Sequence, residues 1–323
     1  MSSRLENENH TEAFFGVLSQ SGHEDLCSRI RKNEMMSRQT TMRVGGPADL
    51  FAEPAGLLEV AALYHAAQAS GIPYFVIGNG SNLVVSDQGI EGLVIKLGDS
   101  LSRIWFDQTS GDGGEVLVHA FSGALLSQVA AACARNNLTG MEFAAGIPGS
   151  IGGAVFMNAG AYGSQMSDVV YQSVCLTPEG NMLTRTGPEH EYSYRSSYYL
   201  SHGGTVLSVI LKLLPGDHQA IIDRISELNG KRSASQPLTM PSAGSVFKRP
   251  EGYFAGCLIQ EAGFKGFAVG GAQVSEKHAG FIVNTGNATA QDVYNLVHII
   301  IDKVKAQTGV ILEPEIRFVG RGF

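Results

Sequence analysis

Glycine placement constrains this chain more than any other feature of its sequence. Forty of the 323 residues are glycine, about 12% where soluble proteins average roughly 7%. Only 11 prolines accompany them and no G-X-Y period appears, which excludes a collagen-like fibre. The excess is clustered. Seven glycines fall in residues 140–163, GMEFAAGIPGSIGGAVFMNAGAYG, two in Gly78-Asn79-Gly80-Ser81-Asn82, and two more are Gly45 and Gly46. Glycine serves where backbone turns tightly or lets a ligand approach. Successive N–H groups in such loops form anion-binding nests. The 78–82 segment follows a strand-like run, as phosphate cradles do. It is not a P-loop, because no G-K-[ST] follows, and it lacks the third glycine of the dinucleotide fingerprint. Alone it is equally a plain tight turn. Three clusters together point to a large phosphate-bearing ligand, a nucleotide or a flavin.

Composition narrows the class. Hydrophobic residues make up 44% and charged residues 16%, with a formal net charge of −7. These values exclude a charge-rich disordered chain and a basic nucleic-acid binder. Cys27, Cys133, Cys175 and Cys257 are scattered without a C-x-x-C pair, so neither a disulfide framework nor a zinc site is expected. The histidines show no metal-ligand spacing. The polar start, with no apolar signal core, and the short Val206–Leu214 apolar run predict a cytoplasmic protein without membrane insertion. No obligate protein partner is evident.

The hydrophobic pattern predicts an α+β chain of several domains. Residues 1–15 read as a flexible tail. Residues 16–98 alternate helix and strand, with a helix over 56–70 and strands at 74–77, 83–85 and 93–97. Residues 99–217 hold an alanine-rich helix over 124–136, a hairpin turning at Pro178-Glu179-Gly180, and a strand over 205–214. Pro215-Gly216-Asp217 separates these from residues 218–323. There Thr289 is the expected N-cap of a long helix, with Asp292 at the capping-box position and Gly309 at its end.

Six motifs occur in order from residue 41 to 320: TMRVGGPADLFAEP, FVIGNGSNLVVSD, GMEFAAGIPGSIGGAVFMNAGAYG, YSYRSSYY, GSVFKRP and LEPEIRFVG. Together they resemble the UDP-N-acetylenolpyruvoylglucosamine reductase (UDP-N-acetylmuramate dehydrogenase) family. The resemblance implies a two-part FAD-binding module of the vanillyl-alcohol-oxidase (PCMH) type and a C-terminal α+β substrate-binding domain. It implies non-covalent FAD, NADPH as reductant, and reduction of UDP-N-acetylglucosamine enolpyruvate to UDP-N-acetylmuramate for peptidoglycan. Arg195 in YRSS matches the arginine that stabilises the enolate, Ser245 in GSVF the serine that protonates it, and Glu315 in LEPEIR the assisting glutamate. A guanidinium suits a carboxylate, and a positioned hydroxyl suits proton delivery to a strongly basic carbon.

For FAD, the expected contacts are Gly78, Asn79, Gly80, Ser81, Asn82, Gly146, Pro148, Gly149, Ser150, Gly152, Gly153, Ala161 and Gly163. Arg43 is either a further contact or a structural ion pair. For the uridine diphosphate, Lys248, Arg249, Lys277 and His278 are the candidates. Arg249 stands where many family members carry asparagine. It resembles the family's shorter subtype, which lacks an inserted loop over the substrate.

Overall fold

A computed structural model describes residues 2–107 and 114–323. The chain begins with α1 (Ser2–Gln20) and α2 (Glu24–Arg29), then β1 (Arg31–Met35), β2 (Pro47–Ala52), α3 (Leu57–Ser70), β3 (Tyr74–Ile77), β4 (Leu83–Val85) and β5 (Ile90–Lys96). The middle holds β6 (Ile104–Phe106), β7 (Val116–Phe121), α4 (Leu126–Arg135), β8 (Leu138–Thr139), α5 (Ile151–Met157), β9 (Gly160–Ala161), β10 (Ser164–Gln165), β11 (Val170–Leu176), β12 (Met182–Thr186), α6 (Tyr198–His202) and β13 (Thr205–Pro215). The remainder is α7 (His218–Ser235), β14 (Ser242–Ser245), α8 (Ala255–Glu261), β15 (Ala268–Val269), β16 (Ala272–Val274), β17 (Phe281–Asn284), α9 (Ala290–Thr308) and β18 (Arg317–Val319).

The α+β pattern expected from the sequence is present. Two compact units share the chain. Unit 1 comprises residues 1–32, 50–79 and 92–230, and unit 2 comprises 33–49, 80–91 and 231–323. The second unit is therefore discontinuous, where the sequence suggested consecutive domains. The cause is strand pairing: β4 runs parallel to β18, with Leu83 opposite Arg317 and Val85 opposite Val319. A partner so far along the chain leaves no local signature.

Unit 1 contains two apolar clusters. One packs Phe14, Leu18, Val60, Leu63 and Tyr64 with Leu93 and Ile95, where β3 and β5 pair in parallel. The expected tail is thus corrected: residues 2–20 are helical, and Phe14 and Leu18 are buried. Phe14 and Leu18 lie one turn apart on the buried face of this helix, and Phe15 and Val17 pack beside them at its margin. The second cluster lies on the sheet ordered β12-β11-β13-β7-β6, with the 11-residue β13 at its centre and α4 and α5 supplying Val129, Cys133, Ile151 and Val155. The β11–β12 hairpin turns at Gly180, whose φ is +84°.

Unit 2 is built on the sheet β14-β17-β16-β15, covered by α8 and α9. Thr289 caps α9 as expected: its side chain accepts the Asp292 N–H, Asp292 returns the bond, and Gly309 ends the helix at φ +75°. Val293, Leu296, Val297, Ile300 and Val304 form its buried stripe. No helix among the described residues is long and apolar enough to cross a membrane.

Candidate active site

In unit 1, two of the glycine-rich loops meet. Gly78 and Asn79 leave β3, and the Asn79 amide donates to the Pro148 carbonyl at 2.5 Å. A Cβ at Gly78 would stand 2.1 Å from the Ser150 hydroxyl, so only glycine fits there without displacement. A Cβ at Gly152 would stand 2.6 Å from the Ser122 Cβ. Ser150 precedes α5 without capping it through its side chain. The Ser122 and Ser150 hydroxyls are buried and have no hydrogen-bond partner among the described residues. Buried hydroxyls ordinarily find an acceptor. Two orphan donors beside glycines that admit no side chain fit a ligand rich in acceptor oxygens, as FAD is. Sequence reasoning had Ser150 but missed Ser122, which lies just past β7 outside any glycine cluster.

Ala161 and Gly163, expected at the flavin, belong to the β9–β10 hairpin. Tyr162 and Gly163 at its tip have φ of +56° and +90°, the type I′ geometry that matches strand twist. Arg195 lies close by in the chain's fold. Ser193 and Ser196 exchange N–H···O bonds at 3.2 Å, leaving Tyr194 and Arg195 at the tip of a tight turn. Arg195 is half-buried, has φ +54°, and donates to the Gly160 carbonyl at 2.8 Å. Ser197 fastens the turn from its other side, donating to the Phe156 carbonyl at 2.6 Å.

Unit 2 brings Ser245 and Glu315 onto adjacent segments. The Val246 carbonyl accepts the Glu315 N–H at 2.8 Å, Phe247 bridges Pro314, and the Lys248 N–H reaches the Glu313 carbonyl at 2.9 Å. Ser245 is exposed and follows Gly244, whose φ is +83° and which lies in a register shift between β14 and β17. The Asn82 amide donates to the Glu315 carbonyl at 3.0 Å. Asn82, expected at the diphosphate, thus helps hold Glu315. Gly80 lies close to Gln39, where a Cβ would stand 2.2 Å from its carbonyl oxygen. Ser81 is half-buried. Arg43 is exposed with φ +56°.

The four candidates for the uridine diphosphate differ. Lys248 pairs with Glu313. The Arg249 guanidinium lies 4.0 Å from the Phe254 ring centre, and the Lys277 ammonium donates to the Ser233 carbonyl at 2.5 Å. His278 is held neutral: its Nδ1 accepts the Gly280 N–H at 3.0 Å, and burial lowers its pKa. Arg317 is a residue the sequence did not single out. Burial lowers its pKa, and its N–H donates to the Asn82 carbonyl at 2.9 Å. Among the described residues no group of three or more His, Cys, Asp or Glu is arranged to hold a metal ion.

Residues 48–186 match the FAD binding domain family, and residues 236–319 match the C-terminal domain of UDP-N-acetylenolpyruvoylglucosamine reductase. A flavin-binding domain joined to that C-terminal domain defines a flavin-dependent oxidoreductase. UDP-N-acetylenolpyruvoylglucosamine reductase from Clostridium tetani is 46% identical over 313 residues, covering 97% of this chain and 98% of the relative. That from Agathobacter rectalis is 48% identical, covering 90% and 94%. The crystal structure of the Thermus caldophilus enzyme is similar with a TM-score of 0.75 at 35% identity, covering 90% of this chain and 99% of that one. The chain belongs to the UDP-N-acetylenolpyruvoylglucosamine reductase family.

Proposed function

We propose that this protein reduces UDP-N-acetylglucosamine enolpyruvate to UDP-N-acetylmuramate in the cytoplasm, with FAD as bound cofactor and NADPH as reductant, supplying a peptidoglycan precursor. The observation that carries the reading is the match of residues 236–319 to the family's C-terminal domain, within which the Glu315 N–H to Val246 carbonyl bond joins the segment carrying Ser245 to the segment carrying Glu315. Once bound and reduced by NADPH, FAD would supply the hydride for the terminal vinyl carbon. Arg195 binds the substrate carboxylate and balances the negative charge that develops as the double bond is reduced, which lowers the barrier electrostatically. The Ser245 hydroxyl delivers a proton to the carbon beside that carboxylate. Glu315, held through its backbone at both N–H and carbonyl, assists this protonation. Lys248, Arg249, Lys277 and His278 face the uridine diphosphate, with His278 acting as a neutral donor through Nε2–H. Gly78, Asn79, Pro148, Ser150, Gly152 and Ser122 line the flavin's diphosphate.

The anaerobic half-reactions test this. The purified protein is yellow, bleaches with NADPH, and regains its colour when the enolpyruvyl nucleotide is added. Bleaching without recovery on that nucleotide overturns the substrate; a colourless protein that takes up no FAD overturns the cofactor site.

A further inference from the structure

Asn158 is fully buried, at 0% exposure, and ends α5 in the left-handed conformation, φ 44° and ψ 54°. Asparagine tolerates that conformation better than other residues with side chains. A buried amide must also satisfy its polar atoms, and the partners of this one are specific. Its Nδ2 donates to the Ser193 carbonyl at 2.9 Å and to the Gln165 side chain at 3.2 Å, while its Oδ1 accepts the Ser167 N–H at 3.0 Å. One side chain therefore ties the end of α5, the β9–β10 hairpin and the base of the Arg195 turn. Ser193 is the residue whose N–H and carbonyl close that turn with Ser196. The acceptor of the Arg195 guanidinium, the Gly160 carbonyl, lies two residues after Asn158. Arg195 itself has a left-handed backbone, which a non-glycine residue keeps only where its surroundings over-determine it.

We propose that Asn158 is a positioning residue for Arg195: its amide fixes both the turn that carries the guanidinium and the segment that receives it. The proposal rests on the role given to Arg195 above. Asn158→Gly keeps the left-handed backbone and removes all three side-chain bonds. Asn158→Asp keeps the acceptor toward Ser167 and turns the donor toward Ser193 into a second acceptor. Both variants should retain FAD and be reduced by NADPH at the native rate. Reoxidation by the enolpyruvyl nucleotide should slow about 100-fold, the scale of a misplacement near 1 Å.

The decisive arm is a double-mutant cycle. In an Arg195→Ala background, Asn158→Gly should change reoxidation by less than about twofold, because two residues that act as one unit are not additive. Thermal melting of each variant accompanies the kinetics. Equal slowing of both half-reactions, or an undiminished effect of Asn158→Gly without Arg195, overturns the proposal. So does loss of FAD or of folding in both variants, which would make Asn158 a folding residue. If Arg195→Ala alone leaves reoxidation unchanged, it is the catalytic role of Arg195 that fails.

Discussion

The Arg195 turn in unit 1 and the Ser245 and Glu315 segments in unit 2 are held by different means. Side chains hold Arg195: the Asn158 amide and the Ser197 hydroxyl grip its turn, and its own guanidinium bonds the Gly160 carbonyl. Backbone largely holds Ser245 and Glu315, through Val246 with Glu315, Lys248 with Glu313, and β14 with β17. Placement by backbone leaves a side chain free to carry only chemistry. Placement by side chains makes function and local stability inseparable, since each substitution removes a tether as well as a reactive group.

The largest effect expected follows directly. Ser245→Ala should slow flavin reoxidation about 10²–10⁴-fold, the usual worth of a positioned acid, with an unchanged melting midpoint, because the residue is exposed and its strand is paired through backbone. Arg195→Ala should cost about 10²–10³-fold and, unlike Ser245→Ala, about 1 kcal/mol of stability from the lost bond to Gly160. A melting loss in Ser245→Ala, or none in Arg195→Ala, would break the contrast.

Gly244→Ala probes the backbone side of the comparison. Nothing lies within 4 Å of an added Cβ, so the cost comes from φ +83° alone. It should be about 1–2 kcal/mol, read from denaturant midpoints. A neutral result would mean that the strand relaxes to another conformation and that its backbone is less fixed than its pairing implies.

The smallest effect concerns pH, and each unit has one histidine for it. Burial lowers the pKa of His190 in unit 1 and of His278 in unit 2 below the ordinary 6.5. His190 sits between the Ser173 hydroxyl, which Nε2 accepts at 2.7 Å, and the Gly187 carbonyl, with Tyr192 stacked on its ring. The unfolded chain binds more protons once pH drops through 6.5, so stability falls from there down through the lower folded value. His190→Gln and His278→Gln should each flatten part of that acid slope in midpoints measured between about pH 5.5 and pH 7.5. An unchanged slope in either would assign its acid sensitivity to other groups.

Local features were legible in the sequence. The Thr289–Asp292 capping box, the Gly309 stop and the hairpin at Gly180 each depend on residues within a few positions of one another. So did the crowding of glycine at residues 78 and 152, though not what each glycine packs against. Features that depend on distant partners were not legible. Phe14 and Leu18 look incidental in a polar segment until Val60 and Leu63 arrive to cover them. Asn158 reads as one more residue in a glycine-rich loop, because Ser193, 35 positions on, has no local mark. Asn82 fits a phosphate loop by composition, yet its amide is committed to Glu315. The roles of Arg195, Ser245 and Glu315 came from motif resemblance. Their residue types alone would equally have suited an ion pair, a loop hydroxyl and a solvated carboxylate.

The pairing of β4 with β18 has a consequence for synthesis. Leu83, Val84 and Val85 emerge from the ribosome about 230 residues ahead of their partners, a wait of roughly 10–50 s at ordinary elongation rates. All three side chains are buried in the finished protein. Until Arg317–Val319 is made, this short apolar strand keeps an unpaired edge, the kind of surface that invites aggregation. The bare β4 edge is thereby one mark by which chaperones and proteases can recognise a chain whose β18 has not yet been made.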